Sequence, residues 1–428
     1  MKEIGPFKIC PILRRNNEIT SDEIFYEVQK RIQFLKDNNV FRQKHLALKA
    51  TPTLNTIYWM YACFLSGRIF FPLSPEMTDI EIESLKSSHS FIFVDESMPL
   101  PSRITHNENP TTDEEILVTL FSSGSEGIPK SISLTLSNFK NHSYAHARHN
   151  NQTSDDIWPA SLSLFHIGGV CLFVRALLLG QKIIFDEKFT TEKFLYWLKD
   201  TRMTGLSLVP TMLYRLLQEK DFTFTPKLKI ILIGGAPLSP ELEAKAKGLG
   251  LPIATTYGMT ETCSQVVTNN KLFPNVKILI NPDSEILIST PALSPTVIRD
   301  QNGFYSTGDL GMFDNLGNLH ILGRKKNLIN SGGEKFSPEE IESVLLTHPC
   351  IQEAAVWGTP DPEWGEIICA AYVPSPESTI KADELTNFLR LKLPSKKIPK
   401  FFIKLKSLPK TANNKLKRSE LKSLLLKA

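Results

Sequence analysis

The run SSGSEGIPK at 122–130 sets three serines and two glycines ahead of a proline and a lysine, a composition suited to cradling a polyphosphate. Gly124 and Gly127 admit positive φ and let backbone N–H groups approach an anion, while Ser122, Ser123 and Ser125 add hydroxyl donors and Lys130 a cation. The spacing argues against a Walker loop, in which lysine directly follows the last glycine; here Lys130 comes three residues after Gly127. Taken alone, the run has a plainer alternative, a Ser/Gly-rich surface turn. The preceding EILVTLF at 115–121 is apolar and β-prone, so the loop is expected to hang from the end of a buried strand.

Six further segments follow in order: LFHIGG at 164–169, GGAPLS at 234–239, YGMTET at 257–262, YSTGDLG at 305–311, GRKKNLINSGGEKFSPEEIE at 323–342 and PKTANNKLKR at 409–418. With the first loop, usually written [ST]-[ST]-G-[ST]-T-G-x-P-K, the set resembles the adenylate-forming acyl/aryl-CoA synthetases, the AMP-binding enzymes. The resemblance covers nearly all of the chain after about residue 45. It implies ATP, Mg²⁺ and CoA as cofactors and a small-molecule carboxylic acid as substrate. The acid would attack the α-phosphorus and expel pyrophosphate; a thiol would then attack the acyl carbon and expel AMP. Both steps move negative charge, so the protein must set cations and donors where that charge develops.

The resemblance carries roles onto particular residues. Ser122, Ser123, Gly124, Ser125, Gly127 and Lys130 would hold the β and γ phosphates. Thr260 and Glu261 would hold the α-phosphate and Mg²⁺, Glu261 being a hard oxygen ligand for a hard ion. Gly234, Gly235, Ala236, Tyr257 and Gly258 would line the adenine slot. Asp309 would accept both ribose hydroxyls through its two oxygens, and Arg324 would add a ribose or phosphate contact. Lys415 would bridge carboxylate and α-phosphate during adenylation. Gly332 and Gly333 would admit the pantetheine arm, with Lys326 as the hinge that exchanges the two half-reactions. Two positions depart from the family pattern: Glu126 stands where threonine is usual, and Asn414 where glycine is usual.

His166, in LFHIGG, sits where the family gates its acyl pocket, with a packed histidine as the plain alternative. Arg175 interrupts VCLFVRALLLG at 170–180, and a buried guanidinium needs a partner, either a protein carboxylate or the substrate. In the o-succinylbenzoate–CoA ligase subgroup an arginine follows L-F-H at a similar distance, which points to a dicarboxylate aromatic acid. Ser207 and Thr262 are further pocket candidates. An acyl carrier protein in place of CoA, a fatty or aryl acid, and a nucleotide-binding chain without chemistry stay open at this point, as does assembly into an oligomer.

Composition fits an enzyme of this size: 428 residues, 41% hydrophobic and 22% charged, are enough to bury more than one core. Six scattered cysteines lack C-x-x-C spacing, which argues against disulfides and zinc and favours a reducing cytoplasm. The first 18 residues lack a signal-peptide core, and 162–185, the most apolar stretch, is interrupted by His166, Arg175, Gln181 and Lys182, so no membrane span is expected. From residue 381 onward 14 Lys and Arg face three acids. No nucleic-acid motif accompanies that charge, which reads as a solvated face and an approach surface for polyphosphates.

These residues must be positioned by a mixed α/β scaffold. The runs 92–95, 182–185, 206–210 and 229–235 read as buried parallel strands, and 53–67 and 239–250 as helices between them. We expect an α/β fold, with a large N-terminal domain of doubly wound sheets at 1–324 and a small mobile α+β C-terminal lid at 325–428. Within the lid, Ser337 is expected to cap a helix over 338–347, with Glu340 closing a capping box, and 353–358 and 367–373 to form strands.

Overall fold

The computed structural model describes every residue except 16, 96–97, 105–108, 123–129, 187–189, 220–221, 376–377, 411–415 and 426–428. The fold is mixed α/β, as the alternation of strand and helix runs implied. Contact density separates two compact units: Met1–Leu238, Ala246–Lys277 and Ser289–Asp300 form the first, and Ser239–Lys245, Ile278–Ile288 and Gln301–Ala428 the second.

Parallel strands buried on both faces build the first unit. One sheet runs Phe91–Phe93, His45–Lys49, Ile69–Leu73 and Ile116–Ser122 in parallel, closed by the antiparallel Lys130–Thr135. A second runs Gly205–Leu208, Ile230–Ile233 and Ile253–Met259 in parallel before reversing into Ser264–Thr268 and Lys271–Leu272. A third sets Ile157–Pro159, Lys182–Ile184 and Ile12–Leu13 in parallel, with Glu18–Ile19 antiparallel. Four of the runs read as strands (92–95, 182–185, 206–210, 229–235) thus fall in parallel pairs.

Two apolar helices fill the space between sheets. Leu54–Ser66 starts at Thr53, whose side chain accepts the Thr56 N–H, and every residue from Thr56 on is buried. Ile167–Leu179 is buried from Gly169 to Leu178. It can begin where it does because Gly169 has no side chain: a Cβ there would strike the Ser163 carbonyl oxygen. Among the described residues no helix is long and apolar enough to cross a membrane.

The second unit has an antiparallel sheet ordered Lys277–Ile280, Glu285–Ser289, Tyr305–Phe313 and Leu319–Arg324. A second sheet orders Glu334–Phe336, Ile329–Ser331, Gly365–Pro374 and Ile351–Asp361, with Phe401–Lys404 parallel to Gly365–Pro374. Helices Pro338–Leu345 and Ala382–Arg390 bury Ile341, Leu345, Leu385 and Leu389 in the core of this sheet. One expectation fails. Ser337 is the N-cap residue, but its hydroxyl makes no cap bond; it donates to the Leu322 carbonyl (2.6 Å) and to Glu339 (2.9 Å). Glu340 instead pairs with Lys397 at 2.5 Å. Lys397 Nζ reaches both Glu340 oxygens and brings a full opposite charge, which a single backbone N–H does not.

Gly169→Ala is expected to lower the unfolding free energy by about 1–3 kcal/mol through overpacking. Gly248→Ala, where an added Cβ meets nothing within 4 Å, should leave it nearly unchanged. Urea melts of the two variants test this; equal shifts would contradict it.

Candidate functional site

In the second sheet the parallel register sets Ser207 beside Leu232 and Ile233 beside Thr255, so all three strands leave the sheet at one carboxyl edge. That edge carries Ser207, then Gly234, Gly235 and Ala236, then Tyr257 and Gly258. Crevices at the carboxyl ends of parallel strands are where open α/β sheets bind ligands. The Gly234 N–H donates to the Leu208 carbonyl at 3.1 Å, and Gly235 and Ala236 stay exposed, leaving their backbone groups accessible to a planar ligand. Gly258 is required by the reversal itself: a Cβ would run into the Ser264 carbonyl oxygen.

After Met259 the chain makes one tight turn, Thr260–Thr262, closed by Cys263 in the left-handed region at φ 55°. Thr262 holds this turn. Its hydroxyl, completely buried, accepts from the Met259 N–H (3.1 Å) and lies against the Met259 and Ser264 carbonyls at 3.1 and 2.8 Å. Read from sequence as a pocket residue, Thr262 spends its polar group on backbone. The Glu261 carbonyl accepts the Ser294 N–H at 2.8 Å, while its carboxylate, half-buried, makes no hydrogen bond or ion pair among the described residues. It is therefore a free hard-oxygen donor of the kind Mg²⁺ takes. Thr260, also half-buried, stands beside it.

Ser294 is a residue that sequence reading missed. Its hydroxyl donates to the Ser133 carbonyl at 2.6 Å, so one residue clips the Glu261 turn to the strand that begins at Lys130. In the sequence it lies in STPALSPT, an ordinary loop pattern. Lys130 is exposed and opposes Ser122 in the ladder, so the two ends of the Ser/Gly loop are held together. Ser123, Gly124, Ser125, Glu126 and Gly127 lie outside the described residues, as do Asn414 and Lys415.

His166 caps the Ile167–Leu179 helix through its carbonyl, which accepts the Gly169 and Val170 N–H groups, and its ring lies 4.3 Å from that of Phe165. Arg175 lies two turns further along, only 3% exposed. It forms no ion pair with a carboxylate among the described residues, although the Asp156 charge acts on it from a distance, and its Nε is buried without a hydrogen bond. The guanidinium instead lies over the Trp158 ring at 4.7 Å, a favourable placement for a cation. Burial lowers its pKa only to about 10, so it stays charged at neutral pH. Burial, with the Arg175 charge next, holds the neighbouring His146 imidazole well below its ordinary value, so that group is neutral. Trp158 was likewise not anticipated. It packs where Gly205 lacks a side chain, two residues before Ser207.

In the second unit Asp309 and Arg324 face each other across two strands, with Arg324 Nε 2.6 Å from Asp309 Oδ1. The acid is buried and the arginine half exposed. The turn ahead of Asp309 is anchored by Glu285, another residue missed. Its carboxylate accepts from Ser306, from the Gly308 N–H (3.1 Å) and from Lys325 (3.0 Å). Burial alone would raise its pKa, but these donors hold it below the ordinary value. Lys326 follows in the short Lys325–Asn327 turn. Gly332 and Gly333, φ 60° and 82°, form the two-residue turn between Ile329–Ser331 and Glu334–Phe336, a reversal that wants positive φ at both positions.

Comparison with known proteins bears on this arrangement. The AMP-binding enzyme family matches residues 84–297, and the AMP-binding enzyme C-terminal domain matches 340–415. A 2-succinylbenzoate–CoA ligase of Bacillus licheniformis is 30% identical over 98% of this chain and 97% of its own. The o-succinylbenzoate CoA synthetase of Bacillus subtilis, solved with its acyl-adenylate intermediate, superposes with a TM-score of 0.89 at 29% identity, covering 97% of this chain and 95% of that one. The same enzyme with ATP and magnesium gives 0.88 at 29% identity, over 98% and 97%.

Because the Glu285 pKa is depressed on folding, its contribution to stability is present above its unfolded value and is lost as pH falls through the folded one. Glu285→Gln should therefore cost about 1–3 kcal/mol at pH 7. The gap to the parent should narrow as the solution is acidified below about pH 4. Denaturant titrations across pH check this, and a gap independent of pH would refute it.

Proposed function

Because the chain belongs to the AMP-binding enzyme family, we propose that it is an ATP-dependent, AMP-forming acid–CoA ligase whose acid is o-succinylbenzoate. The observation that carries the choice of acid is Arg175, a buried cation that forms no ion pair with a carboxylate among the described residues. A substrate with a second carboxylate, beyond the one that reacts, would supply that charge. A charge-assisted pair of this kind contributes about 1.5–3 kcal/mol. The near full-length likeness to 2-succinylbenzoate–CoA ligases, which act in menaquinone biosynthesis, supports the same reading.

In the first half-reaction the reacting carboxylate attacks the α-phosphorus and pyrophosphate leaves. Lys130 and the Ser/Gly loop would hold the departing phosphates, Thr260 the α-phosphate, and Glu261 the metal; bound Mg²⁺ would offset charge on the phosphate oxygens. Asp309, held by Arg324, would take the ribose hydroxyls, and Tyr257 with the Gly234–Ala236 backbone would take the base. Lys415 would steady the carboxylate against the α-phosphate. His166, at the head of the helix that carries Arg175, would border the acyl group, with Ser207 at the strand edge. In the second half-reaction the C-terminal lid would turn about Lys326, the pantetheine arm of CoA would pass Gly332 and Gly333, and the thiol attacks the acyl carbon as AMP leaves. The basic C-terminal segment also suits an acidic acyl carrier protein, so competition between CoA and carrier identifies the acceptor. A cytoplasmic location fits the free cysteines and the absence, among the described residues, of a membrane-spanning helix.

ATP–pyrophosphate exchange across a panel of acids tests the substrate. Exchange should be fastest with o-succinylbenzoate, and Arg175→Ala should weaken it by at least about tenfold, as expected for the loss of a charged pair, while sparing a monocarboxylate. A variant that handles o-succinylbenzoate as well as the parent would overturn the assignment. The half-reactions separate two further roles. Lys415→Ala should cut exchange by roughly 10²–10³, whereas Lys326→Pro should spare exchange and stop thioester formation; loss of both steps together in the proline variant would refute the hinge.

A further inference from the structure

His142, Cys171 and Cys263 come from three separate places in the sequence, on the Leu136–His149 helix, on the Ile167–Leu179 helix and at the end of the Thr260–Thr262 turn. Their ligand atoms all lie within 4.8 Å of one another, and all three side chains are buried. None has a role in the reaction proposed above. The cysteines lack any metal-ligand spacing in the sequence, and folding alone brings them together.

Three observations give this cluster a chemistry. The two sulfurs are 4.0 Å apart, about twice a disulfide bond length. The distance is instead close to the edge of a tetrahedron of zinc–sulfur bonds, which is about 3.8 Å for bonds of about 2.3 Å. The imidazole is oriented: His142 Nε2 faces Gln265 Oε1 at 3.2 Å, an acceptor, so that nitrogen carries the proton and Nδ1 keeps its lone pair. Nδ1 is buried and has no hydrogen-bond partner among the described residues. A histidine with one ring nitrogen fixed by a side-chain oxygen while the other is buried and unsatisfied is arranged as metal-bound histidines are. Finally, the Cys263 thiol is turned inward by two consecutive left-handed residues, Cys263 at φ 55° and Ser264 at φ 89°, a conformation non-glycine residues rarely adopt.

We propose that His142 Nδ1, Cys171 Sγ and Cys263 Sγ form a binding site for a thiophilic divalent ion, Zn²⁺. Two thiols would lose their protons to solvent on binding, and the doubly charged ion with two thiolates adds no net charge beside the Arg175 guanidinium. Three protein ligands leave a fourth position for water. The ion would tie both helices to the turn that presents Glu261, and so hold that turn in place.

The test uses the full-length chain, loaded with zinc and desalted. Elemental analysis should give about one ion per chain. Cobalt as a probe should give a sulfur-to-metal charge-transfer band in the near ultraviolet and the intense visible bands of a tetrahedral site. Cys171→Ser, Cys263→Ser and His142→Gln should each weaken binding by at least about tenfold, as loss of a direct ligand requires, whereas Cys350→Ser should bind as the parent does. Zinc should raise the unfolding midpoint of the parent and of Cys350→Ser, and much less that of the three ligand variants. Absence of the cobalt bands in the parent would overturn the proposal without reference to any variant. So would unchanged binding in the cysteine variants, or a Cys171–Cys263 disulfide found by peptide mass spectrometry in the freshly purified chain.

Discussion

The buried hydroxyl of Thr262 is the contact on which the first unit's site turns. A single side chain engages the N–H and carbonyl of Met259 and the carbonyl of Ser264, and so closes a reversal that would otherwise leave polar backbone unpaired in an apolar interior. From this closure follow the outward Glu261 carboxylate and the inward Cys263 thiol. The Glu261 carbonyl is thereby free for Ser294, and the Ile167–Leu179 helix docks through Cys171, whose thiol reaches the Cys263 carbonyl at 3.4 Å. A hydroxyl in this role outranks one that touches a ligand, because it sets where the ligand groups are.

The second unit solves a similar problem by charge. Glu285 gathers Ser306, Gly308 and Lys325 at the base of the turn before Asp309, and Arg324 sits directly opposite Asp309 in the ladder. Cross-strand register, rather than a flexible approach, thus brings the guanidinium to the acid. The pair is therefore held with little side-chain freedom left to lose, which is what preorganisation means.

Arg175 follows a different logic. A buried guanidinium without an ion-pair partner among the described residues is costly in an apolar helix, yet the Trp158 face and the fields of Cys171 and Asp156 soften that cost. Burial, and after it the Arg175 charge, keeps His146 neutral. Such a charge is a standing electrostatic preference for an anion in the apolar interior.

Much of this was legible in the linear chain. Glycine spacing, strand-like apolar runs and the order of short polar motifs determined the fold class, the family and nearly every residue placed along the carboxyl edge, because those features are set by neighbours one to four positions apart. Ser337 marked a helix start correctly, although its predicted capping bond gave way to Leu322 and Glu339, fifteen and two residues distant. What the tertiary structure alone decided involves partners far apart in sequence: Ser294 with Ser133, Glu285 with Lys325, Arg175 with Trp158, and His142 with two cysteines that the spacing had dismissed as ligands. No local pattern encodes such meetings, since they arise only when separate helices and strands are packed against one another and their buried polar atoms must find company.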